Sequence, residues 1–139
     1  MTGNDQNTIS IPSAPEKIAE VDEFLEGWLR RKGIAEDIIA DLAIAVTELV
    51  NNAIKHGNKK RTEKIVTLTL VYESGRVEAS VTDQGDGFDP DDIPDPLSEE
   101  NLMKEIGRGI FIVKSLMDDF YYSYSPGAGS SIRIVKNVS

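Results

Sequence analysis

In the middle of the chain the spacing of the apolar residues changes from helical to alternating. Apolar residues recur every three or four positions from Ile38 to Ala53, which predicts a long helix that ends at Gly57. From Val66 onward they alternate with polar residues in two runs separated by Ser74-Gly75, which predicts a β-hairpin. A helix with one apolar stripe and a hairpin with one apolar face both need a covering layer, so we expect them to pack on each other.

The remaining segments extend the same two layers. Ser13 is placed to cap a first helix that ends at Gly33, and a third helix is predicted from about Arg108 to Met117. The chain finishes with a hairpin whose turn is residues 126–129. These elements predict the α+β class, as a two-layer α/β sandwich with a mixed, mostly antiparallel sheet covered on one face by three helices. A single domain is expected to span residues 1–139.

Composition excludes several classes of function. The chain has 15 Lys and Arg against 24 Asp and Glu, a formal net charge of −9, and its basic cluster at 59–64 fits a solvated turn, so no nucleic-acid partner is expected. It has no cysteine, and His56 is its one histidine, which excludes disulfides, thiol nucleophiles and zinc sites built on Cys or His. No apolar run approaches the ~20 residues that span a bilayer. We expect a cytoplasmic protein with no membrane partner.

Polar residues lie beside the apolar stripe of the predicted long helix. Glu48, Asn52 and His56 are four positions apart and therefore form one row. The row offers a carboxylate, an amide and an imidazole to a ligand lying alongside. Glu48 could act as a general base, and Asn52 offers the neutral oxygen that suits Mg²⁺. The alternative, which is the commoner fate of such a row, is a solvated helix edge.

Asp83 continues the inward-facing alternation of the second hairpin strand. A carboxylate in a core-facing position costs several kcal/mol unless it is paired, so we expect a ligand amine or an ordered water beside it. Gly85 and Gly87 follow at once and would let backbone approach a flat ligand without interference from a Cβ atom. The alternative is an aspartate that starts a tight turn.

Two glycines flank an arginine in Gly107-Arg108-Gly109, immediately before the predicted third helix. Backbone N–H groups at a helix N-terminus attract anions, and Arg108 adds a positive charge, so this is a candidate phosphate site. A plain loop-to-helix turn is the alternative. Neither the Walker A pattern nor the Rossmann glycine fingerprint occurs in the chain, so a phosphate site here would be of another kind.

The order and spacing of these motifs resemble those of one family. Residues 48–57 resemble the N box of the GHKL (Bergerat-fold) ATP-binding family, and residues 83–87 and 107–113 resemble its two glycine boxes. Residues 129–133 resemble the Gly-Thr-Thr strand that closes its pocket, with serines in place of the threonines. The resemblance covers nearly the whole chain. The short length of the chain and the sequence at residues 116–119 are most similar to those of bacterial anti-sigma factor serine/threonine kinases.

The resemblance implies a set of roles around ATP and Mg²⁺. Asp83 would accept a hydrogen bond from the adenine amine, with Ser131 and a water nearby. Asn52 would coordinate Mg²⁺ between the phosphates, and Glu48 would take a proton from an attacking serine hydroxyl. The segment 88–106 would form a lid over the nucleotide. The other implied nucleotide-binding residues are His56, Gly85, Gly87, Gly107, Arg108 and Gly109.

The resemblance also implies a function. The chain would be a Mg²⁺-ATP-dependent protein serine kinase that holds a sigma factor or similar regulator and phosphorylates a serine on a small antagonist protein. Two alternatives stay open: an ATP-gated regulatory binding protein without phosphoryl transfer, and a histidine-kinase-like catalytic domain. A homodimer is a further expectation, with Trp28 or Ile44 as the candidate contact.

Overall fold

The computed structural model describes residues 6–85 and 100–138, with residues 100–106 described by their backbone alone. A short 3₁₀ turn, Pro15–Lys17, precedes the first α-helix, and a wide π-type turn, Ala53–Gly57, continues the second. The elements in chain order are β1 (Thr8–Pro12), α1 (Ile18–Arg31), α2 (Glu36–Asn52), β2 (Ile65–Glu73), β3 (Arg76–Thr82), α3 (Glu100–Leu116), β4 (Asp119–Ser125) and β5 (Gly129–Asn137).

The five strands form one sheet in the order β1-β2-β3-β5-β4. Every pairing among the described strands is antiparallel, where the sequence allowed a mixed sheet. Thr82, at the end of β3, pairs with Thr67 of β2 on one side and with Ser131 of β5 on the other. The predicted two-layer α+β architecture, with three helices on a mostly antiparallel sheet, is confirmed.

The core lies between the helices and one face of the sheet, as the two apolar periodicities require. Its largest members are at most 1% exposed and come from every layer: Leu25, Leu29, Ile39, Leu42, Leu49, Ile54, Leu68, Leu70 and Ile134. Trp28 is also in this core, only 2% exposed, so the expectation that it marks a dimer contact is wrong. Ile44 is 48% exposed and remains a candidate dimer contact.

Helix α3 begins at Glu100, eight residues before the predicted start at Arg108. The segment between them contains no proline, and Leu102, Ile106 and Ile110 follow one another at helical spacing. Interior glycines weaken a helix without breaking it. Gly107 and Gly109 therefore lie inside α3, and the prediction that they precede its N-terminus is wrong.

Ser13 does not cap a helix, because its hydroxyl is used elsewhere. It donates a hydrogen bond to the Lys64 carbonyl (2.7 Å) and accepts one from the Asn58 side chain (2.8 Å), and the first turn begins after Ala14 without a side-chain cap. Within the described ranges 6–85 and 100–138, no helix has the length and apolar character that crossing a membrane requires.

Candidate functional site

Asp83 lies just beyond the end of β3 and is 7% exposed, as the inward alternation predicts. Its Oδ2 atom accepts a hydrogen bond from the Ser130 hydroxyl (2.8 Å). Its Oδ1 atom accepts one from the Gly85 N–H (2.9 Å) and a longer one from the Ser130 N–H (3.4 Å). A carboxylate offers about four acceptor positions, so three donors orient this one and leave room for a fourth.

Three glycines allow backbone segments to approach Asp83 closely. A Cβ atom on Gly57 would overlap the Asp83 carboxylate, and one on Gly129 would overlap the Asp83 carbonyl oxygen. A Cβ atom on Gly85 would overlap the Gly57 carbonyl. Gly57 therefore serves close packing, and it lacks the left-handed conformation of the helix cap that the sequence suggested.

A pocket of about 490 Å³, counted to its open mouth, lies beside Asp83 between α2, α3 and the sheet. Its walls are formed mostly by apolar side chains from these elements: Leu49, Ala53, Val81, Ile110 and Ile132. A few polar groups converge on the same space: Asn52, His56, Asp83, Tyr122 and Ser130. A concave apolar pocket with a small number of polar groups is the usual form of a small-molecule site.

Helix α3 packs against the polar row of α2 at Gly109. A Cβ atom on this glycine would lie 2.9 Å from Glu48 Oε2 and 3.2 Å from Asn52 Nδ2. Asn52 Nδ2 is buried and has no hydrogen-bond partner among the described residues. An unpaired buried polar group costs about 1–3 kcal/mol, which a ligand at this place would recover.

The amide of Asn52 fits a hard metal ion. Its oxygen and nitrogen can exchange places by a rotation of the amide, so either a donor or an oxygen ligand can be presented to the pocket. Mg²⁺ prefers such oxygen ligands together with those of a bound phosphate. Within the described part of the chain no three His, Asp or Glu side chains converge on a common metal position.

The structure separates the other predicted site residues. His56 lines the pocket, whereas Gly107 and Arg108 are exposed on α3. The hydroxyl beside Asp83 belongs to Ser130 and not to Ser131, which accepts a hydrogen bond from Thr82 (3.1 Å). Successive residues of a strand face opposite sides, so only one of the two serines can face the pocket.

Other predictions lie outside the described residues. These are Gly87 and the part of the proposed lid at 88–99; the rest of the predicted lid, 100–106, is the first part of α3.

Among the polar residues that line the pocket, sequence reasoning missed two, Ser130 and Tyr122. Both could have been found by counting along their strands. Ser130 and Ile132 are four and two residues, respectively, from the fully buried Ile134, which puts all three on the inner face of β5. Tyr122 belongs to the adjacent strand β4, where it pairs with Ile132 of β5 and shares that face.

Residues 11–136 match the family described as the histidine kinase-like ATPase domain. The chain belongs to this family. The match contains α1, α2, α3, β2, β3 and β4 in full, the end of β1 and nearly all of β5, and it contains every residue that lines the pocket. The resemblance drawn from the sequence motifs is confirmed.

Curated relatives cover most of the chain. The serine-protein kinase RsbW of Listeria monocytogenes is 30% identical over 135 residues, which span 91% of this chain and 84% of that protein. The serine-protein kinase RsbW of Staphylococcus epidermidis is 33% identical over 135 residues, with the same two coverages.

Solved structures share the fold. The chain matches the RsbU and RsbW domains of a Mycobacterium tuberculosis protein with a TM-score of 0.65 at 20% identity, covering 96% of this chain and 33% of that one. It matches the mycobacterial sensor histidine kinase MprB with a TM-score of 0.55 at 22% identity, covering 92% of this chain and 95% of that one.

Proposed function

We propose that the protein is a Mg²⁺-ATP-dependent protein serine kinase of the anti-sigma factor type, acting in the cytoplasm. One observation carries the proposal. A pocket with an oriented carboxylate, that of Asp83, is also lined by Asn52, and Asn52 lies beside a second carboxylate, that of Glu48. The first carboxylate suits recognition of a base, and the second suits proton transfer at the other end of a bound nucleotide.

Adenine would bind at Asp83. The base is flat and largely apolar, and the pocket walls are mostly aliphatic. Its exocyclic amine is a donor, and the oriented Asp83 carboxylate retains one acceptor position after its three protein donors. The Ser130 hydroxyl, which donates to Oδ2, helps to fix the direction of the carboxylate. Gly85 and Gly87 would provide close backbone approach to the ring.

The triphosphate would extend from the base along α2 toward α3. Asn52 would hold Mg²⁺ together with phosphate oxygens, and the ion, when bound, would neutralise part of their negative charge. His56 lies along the same wall. We place the phosphates against residues 107–109, where Arg108 supplies positive charge and Gly109 leaves room beside Asn52.

Glu48 would act as the general base. Its carboxylate would accept the proton from an attacking serine hydroxyl as the γ-phosphoryl group transfers to that oxygen and its bond to the β,γ-bridging oxygen breaks, which releases ADP. Phosphoryl transfer depends mainly on positioning and on stabilising charge, so the contribution of Glu48 is confined to the proton and to orienting the nucleophile.

The curated relatives are named serine-protein kinases, which supports a serine as the phosphoacceptor. We propose a serine on a small antagonist protein as the phosphoacceptor, and a sigma factor or similar regulator as the protein that the kinase holds. A homodimer is part of the same proposal, with Ile44, which is 48% exposed, as a candidate contact.

The test uses ATP labelled in its γ-phosphate and candidate antagonist proteins. Glu48→Gln is expected to bind ATP as the unaltered protein does and to transfer phosphate about 100-fold more slowly or worse, the range for loss of a general base. Glu23→Gln removes an exposed carboxylate from α1 and serves as the matched control.

Each other outcome refutes a specific part of the proposal. Normal turnover by Glu48→Gln would remove Glu48 as the base. Binding of ATP without transfer to any serine would favour the ATP-gated binding protein. Label found on a histidine would favour a histidine-kinase-like domain.

A further inference from the structure

Asn58 is a buried polar residue that the proposed catalytic cycle does not use. It is 1% exposed and follows directly after the π-type turn that ends α2. Its Nδ2 group donates to Ser13 Oγ (2.8 Å) and to the Ile65 carbonyl (2.9 Å), and its Oδ1 atom accepts from the Gln84 N–H (2.8 Å). One side chain thus joins the segments that end β1, begin β2 and follow β3.

The hydrogen bond to Gln84 connects this network to the proposed adenine site. Gln84 follows Asp83, whose own N–H donates to the Ser130 carbonyl (2.9 Å). The peptide groups before and after Asp83 are therefore fixed from opposite sides, one by β5 and the other by Asn58. Since the two flanking peptide planes set the direction of the Cα–Cβ bond, these two bonds fix where the Asp83 side chain leaves the backbone, and its own three donors then orient the carboxylate.

The backbone that presents Asn58 is strained. Lys59 and Lys60 both have positive φ angles, 53° and 59°, in the left-handed region that residues with a Cβ atom rarely adopt. The Lys60 N–H donates to the Ile54 carbonyl (2.7 Å), and the Arg61 N–H donates to the Asn58 carbonyl (3.0 Å), which holds the turn. Such strain persists only where the surrounding structure over-determines it, and it concentrates at functional sites.

We propose that Asn58 is a positioning residue for nucleotide selection: it holds the backbone at 83–85 so that the Asp83 carboxylate meets the base. The inference rests on the proposed function, because it assigns Asn58 to the adenine end of the same site. Asn58 touches no nucleotide and acts only through the Gln84 N–H.

The test compares the affinities for ATP and ITP, which differ at position 6 of the base. ATP carries an amine there, which donates to a carboxylate, and ITP carries a carbonyl, which does not. Asn58→Ala is expected to weaken ATP binding about 5- to 100-fold, the range for a misplaced buried acceptor, and to change ITP binding less than about twofold. A general loss of structure would weaken the binding of both nucleotides and leave the ratio of the two affinities unchanged.

Ser13→Ala is the matched control. It removes one of the three hydrogen-bond partners of Asn58 and leaves the Gln84 bond in place, so it should lower thermal stability without changing the ATP-to-ITP ratio. In an Asp83→Asn background, Asn58→Ala should change ATP affinity less than about twofold, because residues that act as a unit are not additive. Full additivity would overturn the proposal.

Two further measurements cover a variant that fails to fold. Asn58→Ser keeps a polar group but is too short to reach the Gln84 N–H, and it should lower the ATP-to-ITP ratio as Asn58→Ala does. In the unaltered protein, the backbone N–H of Gln84 should be protected from hydrogen exchange. Exchange at the rate of a free amide would refute its hydrogen bond to Asn58. Absence of ATP binding by the unaltered protein would refute the proposed function. If the unaltered protein binds ATP and the Asn58 variants leave the ratio of ATP to ITP affinity unchanged, only the positioning role of Asn58 is refuted.

Discussion

Replacement of Asp83 by Asn changes one oxygen of the proposed adenine acceptor into an NH₂ group at nearly constant volume. Oδ1 accepts two backbone N–H groups, from Gly85 and Ser130, so the amide oxygen of the variant is expected to occupy that position. The NH₂ group then takes the place of Oδ2, facing the Ser130 hydroxyl, and the proposal puts the adenine amine at this same atom. The hydroxyl can rotate to accept, because it is both a donor and an acceptor.

The two consequences differ in size. The fold exchanges hydrogen bonds to a charged group for neutral ones, a loss of about 1 kcal/mol. The loss of binding free energy at the adenine amine is larger, because the amine would meet a donor in place of its acceptor. We expect ATP binding to weaken by about 1–3 kcal/mol, which is roughly 5- to 150-fold in the dissociation constant.

Calorimetric titration with ATP at a fixed Mg²⁺ concentration measures the affinity, and thermal unfolding without ATP measures the stability. Asp118→Asn is the matched control: Asp118 Oδ2 accepts the Asn137 N–H (2.7 Å), and its side chain does not line the pocket. Equal ATP affinity for Asp83→Asn and the unaltered protein would remove Asp83 from the site. Equal weakening by both variants would attribute the effect to stability.

Three other substitutions test separate parts of the structure. Burial, followed by a hydrogen bond and repulsion from Glu26, raises the pKa of Asp22 to about 6, so its contribution to stability is complete below pH ~3.9 and is lost as the pH rises through about 6. Asp22→Asn should abolish that decline, which is below about 1 kcal/mol because the carboxyl group is only partly buried and water screens it; a decline of unchanged size in the variant would contradict the assignment. Gly107→Ala adds a Cβ atom with nothing within 4 Å and should stabilise α3 by about 1 kcal/mol in thermal unfolding, and a lower melting temperature would contradict the extended helix. Gly109→Ala should fold equally well but displace the Glu48 carboxylate and slow phosphoryl transfer about 10- to 100-fold, whereas normal transfer would separate Glu48 from the reaction.

The elements whose signals are local could be predicted from the sequence. Period-2 alternation placed β2 and β3 on either side of the turn at Ser74-Gly75, and both turn residues have the positive φ angles that a tight hairpin requires. Gly33, also at positive φ, ends the first helix as expected. The inward direction of Asp83 followed from the same alternation, since its place two residues beyond Val81 fixes its face.

The start of α3 could not be predicted, because opposing signals overlap there. Glycines at 107 and 109 favour a boundary, and the apolar spacing from Leu102 to Ile110 favours a continuous helix. A helix can tolerate two glycines when one face is packed, and α3 packs against α2 at Gly109. Tertiary packing therefore decides the boundary.

The geometry around Asp83 depends on contacts between segments that are distant in sequence. The sequence indicates a helix cap at Gly57, a turn at Gly129 and close approach to a ligand at Gly85, yet each of these glycines lies where a Cβ atom would overlap Asp83 or its neighbours. The π-type turn after Asn52 ends at Gly57, and Asn58, the next residue, bonds to the residue after Asp83. The glycines and Asn58 thus serve one requirement, which is to bury a carboxylate with its direction fixed and one acceptor position open. A substitution that enlarges any of these glycines should therefore damage nucleotide affinity by the same route as Asn58→Ala.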